Sequence, residues 1–298
     1  MKIQTVSVVC GTSACDGHCP FCVSKQTGYE QLPPIAGKVN WRNFRKIVRL
    51  AELAECTTML FTSKGELTLY PEELSLYLKE LHNLNDPFPF LELQTNGLQI
   101  GDLAMGHKLK RLTVSDLRQW YNLGLNTIAV SVVGIDPGHN SQVYRSTYPE
   151  LERTVEFLHF LKYSVRLCVM MQQGMIDSFE KVSQVVDWCR KHGVAQLTVR
   201  PIRKTDEGDS EQSQYVRKYG LTPDQELEIS RRIEKESTHL LTLMHGKHAT
   251  RIFDFHGQNL AHSDCLTIEP EEDNIRTLIF YRNGEVTYDW QYTGARLL

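Results

Sequence analysis

Several features are scarce in this 298-residue sequence. No run of 18 apolar residues occurs, so no segment reads as a membrane-spanning helix. Neither charge sign dominates: 33 Lys and Arg stand against 36 Asp and Glu, a net charge of −3. A basic nucleic-acid surface is therefore not indicated. No basic leader precedes an apolar stretch. The chain runs straight into Ile3-Gln4-Thr5-Val6, which gives no signal peptide. The cysteines outside one cluster are scattered, so a reducing, cytoplasmic setting is expected. Cys19 and Cys22 form the sole C-x2-C pair, and only Cys265 follows Cys189. No internal repeat or low-complexity segment stands out.

What is present is an alternation of short apolar runs and amphipathic stretches. Hydrophobic residues make up 41% of the chain, enough for a sizeable core. Strands are expected near 3–9, 57–61, 90–95, 127–133, 165–171 and 196–200. Helices are expected between them, capped by Asn40, Ser115 and an Asp177–Glu180 capping box, with Pro71 opening one at a tolerated first position. Six such alternations with short links argue an α/β fold with a mainly parallel sheet. Residues 203–221 are polar and read as a linker or lid. Thr222-Pro223-Asp224-Gln225 starts a further helix. Strand-like segments follow from residue 240, with Asn283-Gly284 turning a hairpin. The expected division is therefore a core over 1–202, the polar segment, and an α+β extension over 222–298 packed on the core.

The most informative stretch is Cys15-Asp16-Gly17-His18-Cys19-Pro20-Phe21-Cys22. Three thiols within eight residues, directly after the first expected strand, let one loop bring three soft donors to one centre. Such donors suit an iron–sulfur cluster or zinc. Three ligands leave one metal corner open to a second molecule. The competing reading is structural zinc with Cys10 as fourth thiolate. Zinc sites of that kind usually draw on two C-x2-C pairs, and only one exists here.

The spacing C-x3-C-x2-C, with Phe21 before the last cysteine, resembles the radical S-adenosylmethionine (SAM) enzymes. Further pieces match that family in order. Ser63-Lys64-Gly65-Glu66 resembles its Gly-Gly-Glu motif, with Lys64 at the first Gly and Leu67 in place of the usual Pro. Gln94-Thr95-Asn96-Gly97 resembles the end of its third strand, and Ser131 to Gly134 its fourth. Arg166 to Gly174 resembles the fifth strand of the GTP-cyclising enzyme of molybdenum cofactor biosynthesis, with Cys168 in place of an Asn. That enzyme's C-terminal cysteine trio is missing.

The resemblance implies a partial (β/α)6 TIM-like barrel. It implies a [4Fe-4S] cluster held by Cys15, Cys19 and Cys22, and SAM held by Phe21, Gly65, Glu66, Thr95, Asn96, Ser131, Arg166 and Val199. Glu66 would take the amino group of SAM, Arg166 its carboxylate and Val199 would pack on its adenine. The implied reaction is reductive cleavage of SAM to a 5'-deoxyadenosyl radical that abstracts hydrogen from substrate. Reduced flavodoxin or ferredoxin would supply the electron. The expected substrate is a small metabolite, with nucleotides and nucleosides among the options. Peptide modification, a SAM-binding partner without catalysis, and a zinc-stabilised binding protein stay open. Cys265 is a candidate hydrogen donor to a substrate radical, with a redox residue and a buried thiol as alternatives.

Overall fold

The computed structural model describes residues 2–26, 38–85, 88–205, 208–243, 250–263, 274–290 and 294–298. Six strand–helix alternations appear as expected from the sequence. The strands are β1 (Lys2–Cys10), β2 (Thr58–Ser63), β3 (Phe90–Thr95), β4 (Leu125–Val132), β5 (Ser164–Met171) and β6 (Gln196–Pro201). The helices are α1 (Val23–Gln26), α2 (Trp41–Leu53), α3 (Pro71–Asn83), α4 (Leu98–Ala104), α5 (Val114–Asn122), α6 (Pro137–Tyr144), α7 (Leu151–Phe160) and α8 (Phe179–Lys191). All neighbours from β1 to β6 pair in parallel and in sequence order.

The later elements are α9 (Glu211–Tyr219), α10 (Pro223–Glu236), β7 (Thr238–Leu243), β8 (Thr250–Phe255), β9 (Gln258–His262), β10 (Asn274–Tyr281) and β11 (Val286–Thr287). Their strands join the same sheet rather than forming a layer over it. Among the described residues the order is β11-β10-β1-β2-β3-β4-β5-β6-β9-β8-β7, an open sheet of eleven strands. β10 lies parallel to β1, and β9 lies parallel to β6. The C-terminal part thus extends both edges of the six-stranded centre.

Side chains alternate across each strand, and here the two faces differ in chemistry. Val6, Val8, Met59, Phe61, Leu91, Leu93, Ile128, Val130, Val165, Leu167, Leu197 and Val199 are fully buried. They share one continuous core with Phe44 and Ile47 of α2, Leu74 and Tyr77 of α3, Trp120 of α5, Val155 of α7 and Val185 of α8. The registers put Ser7, Thr62, Glu92, Gln94, Ser131, Arg166, Cys168, Thr198 and Arg200 on the opposite face. One apolar face under helices and one polar face is the arrangement that positions the site.

Several local expectations shift. Thr113, not Ser115, caps α5, because Thr113 and Asp116 exchange hydrogen bonds in a capping box. Ser178 caps α8, while Asp177 pairs with Lys181 at 2.6 Å and accepts from the Gly174 N–H. Thr222 and Gln225 form their expected box. The polar stretch after residue 203 contains α9, capped by Ser210. Its acidic start, Asp209 and Glu211, suits the positive end of a helix. No helix among the described residues is long and apolar enough to cross a membrane.

Candidate active site

The cysteine loop leaves the end of β1 and is tied to the ends of the other parallel strands. Gly11 turns the chain at φ +71° and its N–H donates to Glu73 of α3 at 3.1 Å. The Ser63 hydroxyl at the end of β2 donates to the Thr12 carbonyl at 3.1 Å. The Glu66 N–H donates to the Ala14 carbonyl at 3.0 Å. From the end of β3, the Asn96 amide donates to Asp16 at 2.7 Å and approaches the Cys15 sulfur at 3.8 Å. Gln99 of α4 donates to the other Asp16 oxygen at 2.7 Å. The His18 N–H donates to the Tyr144 carbonyl of α6 at 2.7 Å. Gln26 of α1 donates to the carbonyls of Phe21 and Arg203 and accepts from the Thr205 N–H, which joins the loop to the end of β6.

The three thiols are partly exposed, whereas Cys10 is buried. The interaction between Cys19 and Cys22 lowers the Cys22 thiol and raises Cys19. Backbone N–H groups of Lys25 and Ser24 also favour the Cys22 thiolate. Burial pushes Cys15 up to about 11, opposed by the Gly17 N–H. Cys10 lies on the apolar face, and burial with Glu73 nearby raises its thiol well above the ordinary range. Among the described residues, no three His, Cys, Asp or Glu side chains stand together as a finished metal cage. The donor set nevertheless fits a thiophilic metal group: three soft thiols on one loop, one of them already biased toward thiolate.

Glu66 is the most enclosed of the sequence-selected polar residues, with 2% of its surface exposed. Its Oε1 accepts from the Thr68 N–H and hydroxyl and from the Thr95 hydroxyl, and its Oε2 accepts from the Asn96 N–H, all within 2.9 Å. It therefore fastens the end of β2 to the end of β3. Burial pushes its carboxyl above the usual carboxylate range, against those hydrogen bonds. Gly65 beside it packs so closely on the loop that a Cβ would overlap the Ala14 carbonyl.

Glu66→Gln sets an amide N–H₂ or a rotated oxygen against four donors. It should destabilise the fold by roughly 1–3 kcal/mol, measured by denaturant titration. A carboxyl whose native pKa is raised contributes stability below its unfolded value that is lost as pH rises through the native one. That slope should be absent from the variant.

The other sequence-selected residues are not all gathered. Thr95 and Asn96 stand beside the cysteine loop, and Asn96 also accepts the Tyr148 hydroxyl on its carbonyl at 2.7 Å. Ser131 lies on the polar face in register with Cys168, and its carbonyl accepts the Tyr144 hydroxyl at 2.7 Å. Phe21 is buried against Tyr215 of α9, with ring centroids 6.4 Å apart. Val199 faces the helix-side core with Val169 as register partner, opposite to the polar face. Arg166 is held between Thr198 and Glu92, its Nε donating at 3.0 Å and its Nη1 at 2.9 Å. Cys265 lies outside the described residues.

Asp16, Gln99, Tyr144, Tyr148 and Glu92 were not singled out by the sequence. Glu92 carried a signal, a carboxylate alternating with leucines in Phe90-Leu91-Glu92-Leu93. The other four are recruited by adjacency of strand ends and leave no local pattern.

No protein-family model and no curated protein matches the sequence. Solved structures do match. SuiB from Streptococcus suis bound to S-adenosylmethionine gives a TM-score of 0.60 at 12% identity, over 98% of this chain and 61% of SuiB. SuiB bound to precursor peptide SuiA gives 0.57 at 13% identity, over 97% and 60%. anSMEcpe with bound AdoMet gives 0.61 at 13% identity, over 100% of this chain and 74% of that one. These neighbours are radical SAM enzymes.

The fold is that of SuiB and anSMEcpe.

At these identities the likeness concerns architecture, and this chain spans about three fifths of SuiB's length. Within this fold, the cysteine loop and the Gly65–Glu66 turn lie at the C-terminal ends of parallel strands. Parallel α/β sheets commonly carry their chemistry at those ends.

Proposed function

We propose that this protein is a radical SAM enzyme acting on a small metabolite. Cys15, Cys19 and Cys22 hold a [4Fe-4S] cluster, and strands β1 to β6 form a partial (β/α)6 barrel around SAM. When bound, the cluster and SAM supply reductive cleavage of SAM and hydrogen abstraction from substrate. The observation that carries this reading is the bracing of one three-thiol loop by the ends of β2, β3 and β6. The chain's own residues orient rather than react. Asn96 and Gln99 fix Asp16, and Glu66 fixes the turn that Gly65 presses on the loop. The Oε2 atom of Glu66 has one resident donor and would accept a second hydrogen bond from the amino group of SAM. Gly65, Thr95 and Asn96 line the same strand ends, with Ser131 beyond them. The electron comes from reduced flavodoxin or ferredoxin, and the setting is cytoplasmic.

Anaerobic reconstitution tests the reading. A brown protein with about four irons per chain that converts SAM to 5'-deoxyadenosine is the expected result. A colourless protein that retains zinc rejects it. A brown protein that binds SAM without cleaving it supports a non-catalytic partner instead. Peptide modification is the second reading, drawn from the peptide-bound SuiB neighbour. Deuterium recovered in 5'-deoxyadenosine from a labelled peptide fraction, and not from labelled metabolites, would favour it.

Arg166 is proposed to reach the SAM carboxylate with N–H groups not given to Glu92 and Thr198. Arg166→Met should then weaken SAM binding about ten- to a hundred-fold. It also strips buried Glu92 of its counter-ion, which costs about 3–5 kcal/mol. Combining it with Glu92→Gln removes that penalty. Unchanged SAM affinity in the stable double variant makes Arg166 a scaffold residue.

A further inference from the structure

Two arginines of the described strands lie on the polar face of the sheet, and their surroundings differ. Arg166 on β5 has a resident carboxylate, Glu92, and a resident acceptor, Thr198. Arg200 on β6 has neither. Its side chain is half-buried, and its Nε is shielded from solvent with no hydrogen-bond partner. Among the described residues no carboxylate pairs with it. A guanidinium is always charged and carries five donors in a fixed fork. Shielding its Nε from water without an acceptor is costly. An incoming anion would supply the missing acceptor.

Its position bears on which anion. Arg200 is in register with Met170, one residue before the end of β6. Arg166 is in register with Gln196, four residues earlier, which at about 3.3 Å per residue is about 13 Å deeper along the strands. Three residues beyond Arg200, the Arg203 carbonyl accepts from Gln26 of α1, the helix that begins directly after Cys22. Arg200 therefore stands at the same end of the sheet as the cysteine loop, with Thr198 and Cys168 one layer below it.

We propose that Arg200 receives a carboxylate or phosphate group of the substrate, so that the substrate is a small anion. This rests on the radical SAM reading of the site and narrows its substrate class. A planar fork binds either group through paired N–H donors, and Lys does not reproduce that geometry. The carboxylate of SAM offers the same chemistry, and the test separates the two sources.

The full chain is titrated with inorganic phosphate and with acetate, both without SAM and with SAM bound. SAM and decarboxylated SAM are titrated in parallel. Wild type, Arg200→Met and Arg200→Lys are compared, with stability checked by circular dichroism melting. The expected result is anion binding by wild type that falls ten-fold or more in Arg200→Met and only partly in Arg200→Lys, with SAM affinity unchanged in both. If Arg200→Met instead loses the preference for SAM over decarboxylated SAM while anion binding persists, the anion is the cofactor's and the substrate assignment is overturned. No anion binding by wild type, or equal binding by all three proteins, also overturns it. Failure of wild type to bind SAM strikes the reading of the whole site. The anion titration without SAM still decides the role of Arg200 in that case.

Discussion

Alanine at Cys15, Cys19 or Cys22 is expected to leave a colourless protein that does not cleave SAM, and alanine at Cys10 to leave iron content and cleavage near wild type. The contrast follows from which way each sulfur faces. Cys10 ends β1 on the helix side, has no exposed surface, and its sulfur lies 3.9 Å from the Val8 carbonyl. Burial keeps it a thiol, and a thiol is neither a good ligand nor a good nucleophile. Its loss leaves a small core defect, about 1 kcal/mol. The other three sit on one loop, partly exposed, with Cys19 and Cys22 already in contact. Iron retained in Cys15→Ala but lost in Cys10→Ala would overturn the assignment of the trio. Metal analysis and absorption spectra of anaerobically reconstituted proteins decide the outcome.

Gly65→Ala is expected to cost nearly as much as losing a ligand. The added methyl would occupy the space of the Ala14 carbonyl, whose oxygen also accepts the Glu66 N–H at 3.0 Å. The obstacle is backbone on both sides, so neither a rotamer change nor a small side-chain shift relieves it. Overpacking of this kind costs typically about 1–3 kcal/mol. Here the cost falls on the junction between the cysteine loop and the β2 turn. The variant should keep its far-ultraviolet circular dichroism but take up several-fold less iron and bind SAM at least ten-fold more weakly. Gly294→Ala, where a methyl meets nothing within 4 Å, serves as the control. Full iron and SAM affinity in Gly65→Ala would show that this close approach has no part in shaping the site.

How much of this was readable from the chain depended on whether a signal was local. The six central strands announced themselves because each buries an apolar set such as Val6 and Val8 or Val165, Leu167 and Val169. The capping box of α10 was legible for the same reason, since all its atoms lie within four residues. β9 was not foreseen because Gln258-Asn259-Leu260-Ala261-His262 is half polar and takes strand form by pairing with β6 and β8. Glu66 shows the limit most clearly. Its identity pointed to an acceptor, yet the carboxylate is largely satisfied by Thr68, Thr95 and Asn96. That enclosure depends on β2 lying beside β3. Val199 was read from its place on the sixth strand, and the register turns it toward the helices.

The pairing of β10 with β1 couples the site to the order in which the chain is made. Lys2 lies opposite Asn274 and Val9 opposite Tyr281, so partners are more than 270 residues apart. Contacts of such separation form late, because the loop between them must be closed first. On a ribosome, β1 stays a one-sided edge until nearly all of the described chain has emerged. The Ser7–Thr277 hydroxyl contact at 3.0 Å and the Arg282–Glu73 ion pair at 3.3 Å, which reaches the residue holding the Gly11 N–H, are then still unmade. The thiol loop would reach its final shape only after residues 274–282 have emerged, long after its own three cysteines are made. A chain cut before residue 274 would carry all three cysteines on a strand with an unguarded edge, a template for pairing with other chains.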